Sequence, residues 1–526
     1  MNRQGCMIQA RIALALLLSA SLPAIAQTAP TPGEARLTSA LNVAKRMGPG
    51  ELYALLEPMP KGADLHMHLS GAVYAETFIA EAVAQGLCIN PTLLKFVPPA
   101  ATDGAAVCVA PTVPAATVLK DQHLYDALVD AFSMRSFVPS SGVSGHDQFF
   151  ATFDRFGGLK DYSGAWLDEV ATRAASQNEQ YLEIMTTPPF SKAATLGYQI
   201  GWHPAPGSDH PDFAQLRAQL LAAGLRDEVA DDSKNIAEAK SVRNHLEHCD
   251  TPAAAPGCSI KIHFLYQVLR AFPLQQVFAQ TLLGFEVASA DPDFVGINFV
   301  QPEDDRIAMK DYHLQMQMLD YLHSVYPNVR VSLHAGELAP GMVPPEGLSF
   351  HIREAIDLGH AQRIGHGVDV LYEHDAAALL KEMAAKHIMV EINLTSNDVI
   401  LGIKGKAHPL HAYMAAHVPV ALSTDDEGVS RIDLTHEYVT AVDDQDLSYL
   451  NLKAMARTSL EHAFFQGESL WAAPDNFTRR NAACAAPITA TGTPTPTCAA
   501  FLKTSERAAE QWKLEHRFAV YESASH

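Results

Sequence analysis

Residues 329–337 read VRVSLHAGE and residues 363–370 read RIGHGVDV. Each is a short run rich in β-branched residues that stops at glycine, and each carries a histidine where the run ends. That pattern suits a buried parallel strand whose carboxyl end supplies chemistry. Moving outward, comparable runs are IKIHFLYQV (260–268), DFVGINFV (293–300), IMVEINLT (388–395) and PVALSTDD (419–426). From Lys261 onward they recur every 25 to 35 residues or so, the rhythm of βα units. Helix-like segments such as KDYHLQMQMLDYLHSVYP (310–327) and HDAAALLKEMAAKH (374–387) stand between them. Two earlier runs, ADLHMHLS (63–70) and YLEIMTTP (181–188), bring the set to eight. Eight units predict an α/β fold, a (β/α)8 TIM-type barrel. An open doubly wound sheet is the alternative, and no Gly-rich phosphate fingerprint supports it.

The organisation expected around the barrel follows from composition. Arg3 and Arg11 precede the apolar run IALALLLSA, and Ala24 and Ala26 form an A-x-A pattern, so residues 1–26 read as a signal peptide. The run is short for a membrane span, and no Cys follows the expected cut, so no stable membrane anchor is expected. Export to a periplasm or the exterior follows. Residues 27–60 form a linker and a helical segment, 61–440 the barrel with a long insertion at about 75–175, and 441–526 a helical extension packed on it.

With Cys6 in the signal, the other six cysteines fall into neighbouring pairs: Cys88 with Cys108, Cys249 with Cys258, and Cys484 with Cys498. Local disulfides are the simplest reading in an oxidising compartment, and no C-x-x-C spacing suggests a cysteine zinc site. The net charge of −21 disfavours nucleic acid and anionic membranes as principal partners. A small, neutral substrate is easier to accommodate. Oligomeric state is not legible. Within the insertion, FFATFDRF (149–156) reads either as an apolar lid over a ring-shaped substrate or as ordinary helix packing.

The strand ends carry the functional argument. The first run offers His66 and His68, alternating with apolar neighbours so that both imidazoles share one face. The fifth ends in His334 and Glu337, the sixth holds His366, and the eighth ends in Asp425 and Asp426. Each motif alone has a structural explanation, such as a tight turn or an Asp N-cap. Together, at one end of one barrel, they point to a metal site. Three imidazoles and a carboxylate suit Zn²⁺ with a position left for water, whose pKa such a site lowers toward ~7. His263, His360 and His436 read as structural.

DLHMHLSGA, SLHAGE, RIGHG and LSTDD, in this order, resemble the motif set of the adenosine deaminase family within the amidohydrolase superfamily, over about Lys61 to Thr440. The exported N-terminus, the cysteine-bearing insertion and the wording HLSGAVY are similar to the secreted, growth-factor-related branch and its bacterial relatives. The resemblance implies one Zn²⁺ per chain held by His66, His68, His334 and Asp425. It implies Glu337 as the acid that protonates purine N1, His366 as the group that orients or deprotonates the attacking water, and Asp426 as the group that engages that water or purine N7.

Departures fall near the substrate. Ser70 stands where short adenosine deaminases carry Asp, and Gln301 in NFVQPEDD stands where the family has Gly. Both, with Asp426, are candidate substrate contacts. Asn393 and Leu394 replace Cys and Pro, while Ser396 and Asn397 remain, and Glu427 stands where Pro is common. The expected activity is hydrolytic deamination of adenosine, and of 2′-deoxyadenosine, to inosine-type product and ammonia. Two alternatives stay open: a deaminase of another 6-aminopurine nucleoside, and a nucleoside-binding or signalling protein with vestigial activity. AMP is disfavoured because no Arg/Lys cluster marks the strand ends.

Overall fold

The computed structural model describes residues 29–102, 105–140, 142–160 and 163–524. The signal-peptide reading of residues 1–26 lies outside the described residues. Eight parallel strands form one sheet in sequence order: β1 Gly62–His68, β2 Glu179–Thr186, β3 Lys261–Leu269, β4 Phe294–Val300, β5 Arg330–Ala335, β6 Arg363–His366, β7 Met389–Ile392 and β8 Val420–Leu422. All eight coincide with runs read from the sequence. Just beyond β8 the chain returns to β1: the Asp425 N–H donates to His66 O at 2.8 Å, and Met67 bridges Asp425 in parallel. Asp64 reinforces the seam by accepting from the Thr424 N–H (3.0 Å) and hydroxyl (2.6 Å). The sheet therefore closes into a barrel.

β1 is buried along its whole length, as expected of a strand with helices outside and packed side chains within. The barrel interior holds a charged line as well as apolar side chains. Arg363 donates from Nη1 to Glu183 (2.6 Å) and pairs through Nε with Glu391 (2.6 Å), and all three are fully buried. Phe464 lies under the guanidinium, with the ring centroid at 3.9 Å. Breaking such a buried set by removing one partner costs about 3–5 kcal/mol, because a charge is left uncompensated.

Helices α1 (Pro32–Met47) and α2 (Pro49–Leu56) precede the barrel, and α1 starts at a Thr31–Glu34 capping box. Between β1 and β2 the insertion forms small antiparallel ribbons and helices around its own core, which includes Phe78, Phe96, Phe132 and Phe156. Its helix α3 (Gly145–Phe153) lies over one end of the barrel. Helix α4 (Tyr449–His462) packs on β1 and β8, and α5 (Glu506–Ser523) packs on α1 and α4. Disulfides join Cys88–Cys108, Cys249–Cys258 and Cys484–Cys498. Among the described residues, no helix is long and apolar enough to cross a membrane.

Candidate metal centre and active site

At the carboxyl ends of the strands the predicted site residues converge. Four donor atoms face one another: His66 Nε2 and His68 Nε2 lie 3.5 and 3.3 Å from Asp425 Oδ1, and His68 Nε2 lies 3.2 Å from His334 Nε2. His66 Nε2 is buried and has no hydrogen-bond partner among the described residues. The opposite nitrogens explain this. His66 Nδ1 donates to Glu391 (2.6 Å), His68 Nδ1 to Gln267 Oε1 (2.8 Å) and His334 Nδ1 to Asn298 Oδ1 (2.6 Å). With each Nδ1 proton so engaged, the three Nε2 lone pairs point at one spot. Asp425 has its other oxygen, Oδ2, held by the Ser396 hydroxyl at 2.7 Å.

Lone pairs and a carboxylate aimed at one another repel unless a cation stands between them, so this donor set fits a metal ion. The electrostatics agree. Burial opposes protonation of His66, yet Asp425 and Glu391 push it up to about 10, so the spot its Nε2 faces favours positive charge. Against its burial, Asp425 is held well below the usual carboxylate range by His66 and His68. Among the described residues, His66, His334, His366 and Asp425 bring one buried ligand atom each within 4.8 Å of one another, a metal-binding site of three histidines and one aspartate, and His68, Asp425 and Asp426 form a second such group that shares Asp425.

His366 lies beside this set, its Nε2 3.9 Å from Asp425 Oδ2, close enough to be grouped with the donors. Its tautomer separates it from the other three. The Leu410 N–H donates to His408 Nδ1 (3.2 Å), so His408 Nε2 carries a proton and donates it to Asn397 Oδ1 (3.0 Å). The Asn397 amide then donates to His366 Nδ1 (2.9 Å), which leaves a proton on His366 Nε2, facing the site. Burial drives His366 down to about 3, so it is a neutral N–H donor.

Two carboxyls complete the chemistry. Burial, with Asp425 and Glu303 nearby, raises Glu337 well above the carboxylate range, keeping it protonated and able to donate. Burial likewise brings Asp426 up to about 7. Asp426 Oδ1 is buried without a partner among the described residues, and it crosses directly over Gly71. A Cβ at Gly71 would stand 1.5 Å from that oxygen. His366 (φ 70°), Asp425 (φ 60°) and Gln301 (φ 88°) adopt left-handed backbone at the strand ends. Such strain costs of order 1–3 kcal/mol each and gathers where function needs it.

These groups open onto a cavity of about 360 Å³, within the usual range for small-molecule sites. His68, His334, Glu337, His366, Asp425 and Asp426 all line it, as do Ser70 and Gln301. The Gln301 Oε1 accepts from the Ala271 N–H (2.9 Å). Among the described residues, no Lys or Arg lines it. One wall is α3: Phe150 and Phe153 line the cavity, and Phe149 also packs into Ile400 and Val429. Phe149, Phe150 and Phe153 thus both pack as an apolar cluster and border the cavity. His146 on α3 pairs with Asp304 (3.0 Å) beyond β4, strapping the helix across the mouth.

Sequence reasoning assigned no role to Gln267, Asn298, Glu391, Asn397, His408 or Glu303. Gln267, Asn298 and Glu391 are isolated polar residues in otherwise apolar strand runs, a pattern that marks inward-facing positions in a barrel.

A family model described as adenosine deaminase matches residues 167–471, more than half of the chain. Similar curated proteins include adenosine deaminases of Shewanella loihica, 37% identical over 135 residues, and Clostridium perfringens, 33% identical over 140. These matches cover 26% of this chain and 38% and 39% of those relatives, so the chain spans about two fifths of their length. Among solved structures, an adenine deaminase from Arthrobacter aurescens is 15% identical with a TM-score of 0.49, covering 77% of this chain and 94% of that one. An Arabidopsis N6-mAMP deaminase is 19% identical with a TM-score of 0.47, covering 78% and 95%. On the family match, and with the ordered motifs brought together around a buried metal-binding site, the chain belongs to the adenosine deaminase family.

Proposed function

We propose that this chain is a zinc-dependent deaminase of a neutral 6-aminopurine nucleoside, with adenosine as its substrate and 2′-deoxyadenosine accepted beside it. The observation that carries the reading is geometric: the Glu337 carboxyl, which burial pushes up, lines the same cavity as His366, Asp426 and the metal donors His68, His334 and Asp425. A protein that only bound nucleosides has no use for an acid there. His66, His68, His334 and Asp425 hold one zinc ion. Bound there, zinc supplies the Lewis acidity that makes water nucleophilic near neutral pH.

The chain's residues do the rest. Glu337 donates its proton to the ring nitrogen next to the amino-bearing carbon, which makes that carbon electrophilic. His366 donates from Nε2 to the incoming oxygen and aims it at the ring face. Asp426, with its pKa near neutrality, accepts the first proton that the oxygen loses and returns it to the departing nitrogen, and the second, shed as the C–O bond becomes a carbonyl, restores the acid form of Glu337. Water is consumed, the C–N bond breaks and ammonia leaves.

The lack of Lys and Arg in the lining favours a nucleoside over a nucleotide, since a phosphate calls for charge-assisted donors. Ser70 and Gln301 contact the sugar or base, and their departure from family wording keeps another 6-aminopurine nucleoside as the second reading. The three disulfides and the A-x-A segment support an exported protein of the secreted branch. Ammonia release from adenosine, 2′-deoxyadenosine, adenine, N6-methyladenosine and AMP tests the assignment. Adenosine is expected to have the highest kcat/KM, and preference for AMP or free adenine would refute it.

A further inference from the structure

Behind the cavity wall lies a buried carboxylate that the reaction as described does not use. Glu303 follows β4 and is 1% exposed. Its two oxygens grip consecutive amides of the turn after β5: Oε1 accepts from the Gly336 N–H (3.0 Å) and Oε2 from the Glu337 N–H (2.8 Å). Oε1 also accepts from His351 Nδ1 at 2.5 Å. The His351 ring is stacked on Tyr312 at 4.1 Å, and the Tyr312 hydroxyl donates to His351 O (2.8 Å). The clamp is thus braced from a third element. Burial disfavours the charge on Glu303, but His351, Arg270 and the Gly336 amide hold its pKa at about 2.

The turn is held on its other sides too. Gly336 O accepts from the Val368 N–H (2.7 Å) and the Asp369 N–H (3.2 Å), and Ala335 O accepts from the Gly367 N–H (3.1 Å). Gly336 has φ +75°, and a Cβ there would stand 2.5 Å from Asp369 Oδ1 and 2.8 Å from Ile352 Cδ1. Only glycine fits. The amides of residues 336 and 337 therefore depend on Glu303, which reaches across from a different strand.

We propose that Glu303 is the positioning residue for the proton donor, fixing the Gly336–Glu337 peptide so that the Glu337 carboxyl stands at the reacting ring. The proposal rests on the role given to Glu337 above. Glu303 is absent from the cavity lining, so it acts through Glu337 and not on substrate. Replacing it with Gln sets an amide NH2 or a single oxygen against two N–H donors, and the turn must shift.

A double-mutant cycle in zinc-loaded enzyme tests this, with Glu303→Gln, Glu337→Gln and the double variant assayed for ammonia release from adenosine. A misplacement of about 1 Å costs on the order of 100-fold, so Glu303→Gln is expected to lower kcat by about that factor. KM should stay within about threefold, because the lost interaction is made in the transition state. Zinc content should match wild type. Added to Glu337→Gln, the Glu303 substitution should cost less than about threefold more, since a positioning residue has nothing left to position. Wild-type kcat in Glu303→Gln, loss of its zinc, or fully multiplicative losses in the double variant would each overturn the proposal. Wild-type turnover in Glu337→Gln would instead refute the donor assignment, and this proposal with it. If Glu303→Gln does not fold, Glu303→Asp, which keeps the charge but loses reach, enters the same cycle with the same outcomes.

Discussion

Gly71→Ala separates two physical expectations that point in opposite directions. Gly71 sits in the single helical turn Leu69–Ala72 that follows β1. Helix propensity alone favours alanine there by roughly 1 kcal/mol. The site geometry opposes it. A Cβ at Gly71 would lie 1.5 Å from Asp426 Oδ1, 2.3 Å from Cγ and 2.7 Å from Cβ, and real contacts begin at 3.0 Å. Asp426 is 5% exposed and borders the cavity, so it can yield to the new methyl only by leaving its place, the carboxylate oxygen moving about 1.5 Å from where it handles protons. Displacements of about 1 Å cost on the order of 100-fold, equivalent to about 2.7 kcal/mol of barrier. Steady-state ammonia release should therefore show kcat at least about 100-fold below wild type. Zinc content should be unchanged, because Asp426 is outside the proposed ligand set. Activity within about threefold of wild type would refute the view that Asp426 acts from that position.

Three further outcomes follow from other parts of the structure. Glu391→Gln leaves His66 Nδ1 facing a weaker acceptor in place of the carboxylate at 2.6 Å. Zinc affinity should drop about 10- to 100-fold in competition with a chelator, and an unchanged affinity would refute the orienting role. Phe150→Ala removes an apolar wall worth about 1–2 kcal/mol, so KM for adenosine should rise about tenfold with a smaller change in kcat. An unchanged KM would exclude the α3 wall from substrate contact. Asp232 is pushed up to about 8 by burial and by Glu228 and Asp231, and both its oxygens lack partners among the described residues. Its folded-state pKa lies above the unfolded value near 3.9, so its contribution to stability is complete below about pH 4 and is lost as pH rises toward 8. Asp232→Asn should therefore melt like wild type near pH 4.5 and be several kcal/mol more stable at pH 8, each pH unit between the two pKa values being worth about 1.4 kcal/mol. Equal melting curves at both pH values would count against it.

How far the molecule could be read from its sequence depended on what kind of information each feature needs. All eight strands were legible because parallel barrel strands are apolar on both faces and end at turns, a signal local to each run. The converging residues were legible because a barrel brings strand ends together whatever their separation in sequence. Partners across the barrel were not. That Gln267 would meet His68, Asn298 His334 and Glu391 His66 depends on which inward positions share a layer, and only the register sets that. Gln301 illustrates the same limit. Its place in the motif was visible, but not its retention of a glycine-like φ of 88° with the side chain bound to the Ala271 amide. That the α3 phenylalanines both pack and border a cavity was not legible, because a Phe-rich helix reads alike in either setting.

A zinc ion held by His66, His68, His334 and Asp425 is what deamination of adenosine is proposed to depend on. Ammonia release from adenosine, measured before zinc is stripped with a chelator, after stripping, and after one equivalent is restored, decides the matter. Turnover, its loss, and its recovery at one zinc per chain are expected. No ammonia from the zinc-loaded enzyme, or full turnover from the stripped one, would contradict that dependence.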